Sequence, residues 1–213
     1  MRPSKSENNG IASLSENDLQ VYSVGISTGG AAEMRMAELN PQRLITASTI
    51  DAEGAHFAQK QIEAKGLSKQ VHVKIEDVTK PLPYESGAFD FIYARLVLHY
   101  LPKNELTQAL AELHRILKSG GKLFVVVRST NCHEATSKNA IHDPLTGLTT
   151  YTSNNGNSYS RFFHTEHSIQ EYLKAAGFTI QSIKSYDEQL CIDFQRTRPS
   201  NYIDLLIEVL ANR

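Results

Sequence analysis

Apolar positions in this chain fall into short runs that alternate with amphipathic stretches. Residues 19–24, 44–50, Val71–Ile75 and 89–94 are rich in β-branched and aromatic side chains and are bounded by polar or small residues, which predicts strands. Residues 89–94 are apolar at nearly every position, as a strand buried on both faces should be, and 123–127 is predicted as a fifth strand. Helical spacing fills the intervals. One helix is predicted over 31–39, and another places Phe57, Ala58 and Ile62 on one face and stops at Gly66. The clearest follows Asn104, where Leu106, Leu110, Leu113 and Leu117 form a stripe that ends before Gly120 and Gly121. A fourth, capped by Thr165, carries Ile169, Tyr172, Leu173 and Ala176 and ends at Gly177. Strands are then predicted at 178–186 and 190–197, with the short link Asp187-Glu188-Gln189 favouring antiparallel pairing. A last helix is predicted over 202–210.

This alternation predicts an α/β fold: a mainly parallel sheet with helices on both faces and an antiparallel hairpin at its C-terminal end. Two segments depart from it. Residues 1–18 are polar and aperiodic and predict a flexible leader, with 19–213 as a single domain. Residues 129–163 interrupt the strand–helix rhythm with Asn, Ser, Thr and His, and Asn155-Gly156 marks a hairpin turn. An insertion of that length in a compact domain is expected to be functional, here facing a substrate.

Bulk properties narrow the partners. The chain has 213 residues, enough for one buried core, and its net charge of -1 gives no general attraction to nucleic-acid backbones or anionic lipid. The longest strongly apolar run, 123–127, is too short to span a bilayer, and the N-terminus lacks the apolar core of a signal peptide. Cys132 and Cys191 are too few for a disulfide framework. A cytoplasmic protein with a small-molecule partner, and neither nucleic acid nor membrane, is the expectation.

In an open α/β sheet, ligands bind beyond the carboxyl ends of the strands, and the notable polar features fall there. After the first strand comes the small-residue turn Gly25-Ile26-Ser27-Thr28-Gly29-Gly30, where a ligand can approach the backbone closely. Asp51 follows the second strand and Glu76-Asp77-Val78 the third. Each also has a local reading, as a tight connection, a helix N-cap and a turn residue respectively.

Taken in order, these segments resemble the class I S-adenosylmethionine-dependent methyltransferases, in particular the broad group that modifies small molecules. The resemblance runs from about residue 19 to 197. It rests on Val21-Tyr22-Ser23-Val24-Gly25-Ile26-Ser27-Thr28-Gly29, Ile50-Asp51, Ile75-Glu76-Asp77-Val78 with Pro81-Leu82-Pro83-Tyr84, Phe89-Asp90-Phe91-Ile92-Tyr93-Ala94, Arg115 through Leu123 with its Gly-Gly turn, and Leu173-Lys174-Ala175-Ala176-Gly177-Phe178. It implies a Rossmann-like, seven-stranded sheet and S-adenosylmethionine as cofactor. By the same resemblance, Asp51 with Ala52 holds the ribose and Asp77 with the backbone of Val78 the adenine. Ser23, Gly25, Ser27 and Gly29 border the methionine part, with Ala94 and Arg95 beside it. Two positions depart from the family pattern: Ser23 stands where the family has a carboxylate, and Ser27 replaces a glycine, which implies weaker binding.

No catalytic residue is singled out. His99, His133, His164 and Tyr151 could reach the mouth as a proton acceptor, and Tyr151, Tyr159, Arg161 and Phe163 are expected to form the acceptor wall. Cys132, His133, His142, His164 and His167 match no metal-ligand spacing. Two other readings stay open: a cofactor-binding relic without turnover, and a nicotinamide-dependent oxidoreductase. The second is suggested by Gly25-x-Ser27-x-x-Gly30 and Asp51, but no Tyr-x-x-x-Lys pair accompanies them.

Overall fold

The structure is a computed structural model that describes residues 4–27, 29–153, 156–191 and 198–213. Its elements begin with α1 (Lys5–Ala12), β1 (Gln20–Val24), α2 (Ala31–Glu38), β2 (Leu44–Thr49), α3 (Ala52–Ala64), β3 (Val71–Ile75) and β4 (Phe89–Arg95). A short 3-10 turn, Leu98–Tyr100, leads into α4 (Lys103–Ile116) and β5 (Leu117–Arg128). Then come β6 (Ile141–His142), β7 (Thr149–Thr152), β8 (Ser158–Arg161), α5 (Glu166–Ala175), β9 (Thr179–Glu188) and β10 (Asp204–Asn212).

The large sheet has the order β3-β2-β1-β4-β5-β10-β9. Its first five strands pair in parallel, and β10 runs antiparallel to both β5 and β9. Chain order reverses between β1 and β4, so the crevice beyond their carboxyl ends is the place where such sheets bind ligands. Alternating side chains divide the core in two. Ile92, Ala94, Leu123, Val125 and Val127 pack on one face with the leucine stripe of α4 and with Ile169 and Leu173 of α5. Phe91, Tyr93, Phe124 and Val126 pack on the other with Ile11, Met36 and Ile62 from α1, α2 and α3.

Three expectations are corrected. The stretch read as a flexible leader contains α1, whose Ser6, Glu7, Gly10 and Ile11 are buried. Gly10 explains its seat: a Cβ there would lie 2.5 Å from Tyr93 Cε2 and 2.7 Å from Phe124 Cε1, so the helix backbone rests directly on the stacked aromatic pair. The helix expected over 202–210 is β10, whose Leu206 faces one core and whose Ile207 and Val209 face the other. Its Leu206 and Leu210 mimic helical spacing, but the run is apolar because the strand is covered on both sides.

The strand that pairs with β9 in an antiparallel hairpin is β10, and residues 189–203 lie between the two, in place of the expected three-residue link. Residues 192–197 of the strand expected at 190–197, and Asn155 of the expected turn, lie outside the described residues. Two boundaries also move: Pro102, not Asn104, is the N-cap of α4, and Leu117, Gly120 and Gly121 belong to β5.

Candidate functional site

At the centre of the carboxyl edge, β1 turns sharply at Gly25, whose φ is +75°. A Cβ at Gly25 would stand 2.5 Å from Val97 Cγ2, so the loop can lie against the end of β4 only as glycine. Opposite it, Leu96 holds a φ of 55°. That conformation is costly for a leucine and marks the end of β4 as strained. Gly25, Ser27, Arg95, Leu96 and Val97 all line a cavity of about 1340 Å³. It extends under α1, past Ser4 and Lys5, to His99, Tyr100, Arg128, Glu134, Tyr151, Tyr159 and Arg161. The cavity thus joins the small-residue loop to the inserted three-stranded sheet β6-β7-β8.

Of the ten residues expected at the cofactor, Gly25, Ser27 and Arg95 line this cavity. Gly29 sits in the turn before α2, and Ala94 is fully buried in β4. Ser23 is buried, and its hydroxyl donates to Glu33 Oε1 at 2.6 Å. Asp51 is exposed and caps α3, its Oδ1 accepting from the Glu53 amide at 3.1 Å, with Ala52 as the first helical residue. Because β2 ends at Thr49, Asp51 lies two residues past the strand, and its own amide donates to Thr49 Oγ1 at 3.1 Å. Asp77 is exposed and closes a turn on Thr79, accepting from its amide at 2.9 Å and its hydroxyl at 2.7 Å. Those bonds hold the Asp77 carboxyl below the usual range. Val78 packs into the core.

Arg95 is turned to α1. Its guanidinium donates to Ser6 Oγ and Ser4 Oγ, each at 2.7 Å, while the Ser6 amide donates to Glu188 Oε2 at 3.0 Å. A helix without apolar periodicity is thus fastened over the crevice by polar contacts.

The far end of the cavity is a buried charge cluster that sequence reasoning did not find. Arg128, at the end of β5, pairs with Asp204 at the start of β10 and with Glu134 at 2.7 Å. Burial pushes the Asp204 carboxyl up to about 6 despite the Arg128 cation. Arg128 directly follows the buried run 123–127 and was legible as a cation at a strand end, whereas its partners lie distant or in the insertion. Arg161 stands over the rings of Tyr100, Tyr151 and Tyr159, 5.4 to 5.8 Å from their centroids.

Of the proton-acceptor candidates, His99, His133 and Tyr151 line the cavity, and His164 is fully buried. Neither ring nitrogen of His99 has a hydrogen-bond partner among the described residues. Burial, then Arg128 and Arg161, hold His99 well below the ordinary histidine range, so it is neutral. Burial lowers His164 to about 3. Of the expected acceptor wall, Tyr151, Tyr159 and Arg161 line the cavity, while Phe163 packs with Cys132 and Tyr151 in a small core. Cys132 gathers with Glu134 and Asp204, their ligand atoms within 4.8 Å of one another, and His133, His142, His164 and His167 are not in that group. Arg128 already occupies both of its carboxylates.

The sequence pattern of the family described as "Methyltransferase domain" matches residues 22–125, from β1 into β5. That match spans a little under half of the chain. A demethylmenaquinone methyltransferase of Bacteroides fragilis is 30% identical over 112 residues, which are 52% of this chain and 44% of that protein. A ubiquinone/menaquinone biosynthesis C-methyltransferase of Allorhizobium ampelinum is 30% identical over 120 residues, 54% of this chain and 45% of that protein. The chain thus aligns with less than half the length of these relatives. Among solved structures, a SAM-dependent methyltransferase of Methanosarcina mazei superposes with a TM-score of 0.79 at 20% identity, covering 100% of this chain and 99% of that one. The [4+2]-cyclase SpnF superposes with a TM-score of 0.68 at 21% identity, covering 97% of this chain and 80% of that one. These likenesses show the fold of a methyltransferase domain. Among the described residues no helix is long and apolar enough to cross a membrane.

Proposed function

We propose that this methyltransferase domain binds S-adenosylmethionine beneath α1 and directs its methyl group to a small, ring-bearing acceptor held against the insertion. The observation that carries the reading is the continuity of the cavity from Gly25 and Ser27 to Tyr151 and Arg161. The chain's residues fit the cofactor: Gly25 brings bare backbone at a positive φ to the cavity wall, and Ser27 offers a small polar neighbour. Gly25, Ser27 and Gly29 would border its amino-acid part, Asp51 the ribose, and Asp77 with the Val78 amide the adenine. When bound, the sulfonium supplies an already activated methyl group.

The protein's remaining work is positioning and exclusion of water. Tyr100, Tyr151 and Tyr159 offer ring faces to a planar acceptor, and Arg161 lies among them as a cation. That geometry suits an acceptor of the ring-bearing kind named for the two quinone-pathway relatives. His99 is neutral and its ring nitrogens have no hydrogen-bond partner among the described residues, so it can hydrogen-bond a hydroxyl of the acceptor and hold it in place. A second reading, a cofactor-binding relic, is favoured by Ser23, which contributes no charge of its own to the loop.

The test is native mass spectrometry of the purified protein followed by a radiolabelled methyl-transfer assay on hydroxylated naphthalene acceptors. Co-purified S-adenosylhomocysteine and label transfer that falls at least tenfold in His99→Leu are expected. Cofactor binding without transfer to any acceptor moves the protein to the relic reading. A bound nicotinamide dinucleotide overturns both.

A further inference from the structure

Three tyrosine rings meet at the far end of the cavity, and an arginine occupies the place that a bound cation would take among them. Arg161 lies 5.4 Å from the ring centroids of Tyr100 and Tyr151 and 5.8 Å from that of Tyr159. Ring faces attract cations, and a cage of them is a common seat for an ammonium ligand. Here the chain's own guanidinium fills the cage, so a positively charged acceptor would meet a like charge there.

That guanidinium is only partly neutralised. Its Nη1 stands 3.7 Å from Glu134 Oε1, and the same oxygen is held by Arg128 at 2.7 Å. Asp204, the other carboxylate of the cluster, pairs with Arg128 as well. Arg161 Nη2 reaches the Tyr100 hydroxyl at 3.5 Å, a long contact, and Nε is buried with no hydrogen-bond partner among the described residues. Nε and Nη2 share one edge of the guanidinium, and such an edge takes the two oxygens of a carboxylate side by side. Buried donors are almost always satisfied, so an arginine that lines a cavity with this edge unmet points to a ligand that completes it. Two of the three rings can swing aside to admit one, since Tyr100 is 52% and Tyr159 39% exposed, while Tyr151 is buried. His99 is close by, because the amide of Phe162, next to Arg161, donates to the His99 carbonyl at 2.7 Å.

We propose that Arg161 selects an acceptor with a carboxylate on its ring, taking that group on its Nε–Nη2 edge while the tyrosines hold the ring. The inference deepens the acceptor reading above and rests on it: that reading asks for a ring, and this one for a ring that carries an acid. Glu134 works against the selection, because its carboxylate competes for the same cation.

The test uses the full chain, with and without saturating S-adenosylhomocysteine, and three naphthols that differ in one substituent: 4-hydroxy-2-naphthoate, its carboxamide and its aminomethyl counterpart. By calorimetry the naphthoate should bind about tenfold or more tighter than the carboxamide, and the aminomethyl compound should bind weakest. Arg161→Gln should shrink the preference for naphthoate over carboxamide to within about threefold, and Arg161→Lys, which keeps the charge without the edge, should retain part of it. Glu134→Gln should widen the preference by about threefold or more. A parent without that preference, a parent that binds none of the three, or an undiminished preference in Arg161→Gln overturns the proposal. If Arg161→Gln does not fold, Glu134→Gln carries the test: a wider preference supports the assignment, and an unchanged or narrower one overturns it. A parent that binds no S-adenosylhomocysteine yet prefers the naphthoate overturns the cofactor reading and supports this one.

Discussion

Asp51 and Arg128 both follow strands of the same sheet at its carboxyl edge, yet they are built into the molecule differently. After β2 and β3, Asp51 and Asp77 are exposed and are engaged within two residues of their own position: Asp51 on the Glu53 amide, Asp77 on Thr79. At the ends of β1, β4 and β5, Ser23 is buried and Arg95 and Arg128 are half-buried, and all three reach across the sequence: Ser23 to Glu33, Arg95 to Ser4 and Ser6, Arg128 to Glu134 and Asp204. The first half is assembled from local turn chemistry that folding alone would select. The second half keeps charges out of water around a cavity, which folding alone would avoid. Polarity at a strand end is therefore weak evidence of a site, and burial of that polarity around a shared cavity is strong evidence.

Four substitutions probe the contrast, the largest effect first. Arg128→Met strands Asp204 and Glu134, and should cost about 3 kcal/mol of stability, read as a lower urea midpoint at unchanged slope. A loss under about 1 kcal/mol would make this half of the edge no different from the exposed half. Gly25→Ala meets Val97 Cγ2 and a positive φ, and should lower S-adenosylhomocysteine affinity by about thirtyfold or more. Adding Val97→Ala should return part of that loss, because only the steric share is relieved.

Acidification distinguishes the halves next. His164 is neutral in the folded state down to about pH 3 and, once unfolded, protonates near 6.5. Its depressed value means that stability is fully present above about 6.5 and falls as pH drops toward 3, by about 1.4 kcal/mol per unit. His164→Phe should flatten the acid limb of denaturation profiles by that slope, and an unchanged slope would show that the ring is not buried neutral. The smallest effect is at Asp51. As an N-cap, Asp51→Ala should cost about 1 kcal/mol of stability. If it also holds the ribose, affinity should drop by about tenfold, so measuring both quantities on one variant separates the two roles.

How much was legible in advance follows the same division. Leu106, Leu110 and Leu113 of α4, the apolar runs of β4 and β5 and the turn at Gly25 are local patterns, and each stands where the pattern indicated, while Leu117 of the same stripe opens β5. The helix α1 was missed because its buried residues are Ser6, Glu7 and Gly10 with only Ile11 apolar, and its hold comes from Arg95 and Glu188. β10 was read as a helix because a strand covered on both faces has no alternation to betray it. Gly25, Ser27 and Arg95 at the cavity were legible from motif order. Glu134 and Asp204 were not, since nothing in their own neighbourhoods distinguishes them from solvated turn acids.

The central claim, that the β1/β4 half of the edge binds S-adenosylmethionine, is tested most directly by hydrogen exchange with and without S-adenosylhomocysteine. The expected result is slowed exchange in residues 25–27 and 95–97 and in α1, with no change on adding a nicotinamide dinucleotide. Protection by the dinucleotide instead, or protection confined to residues away from Gly25 and Leu96, would contradict it.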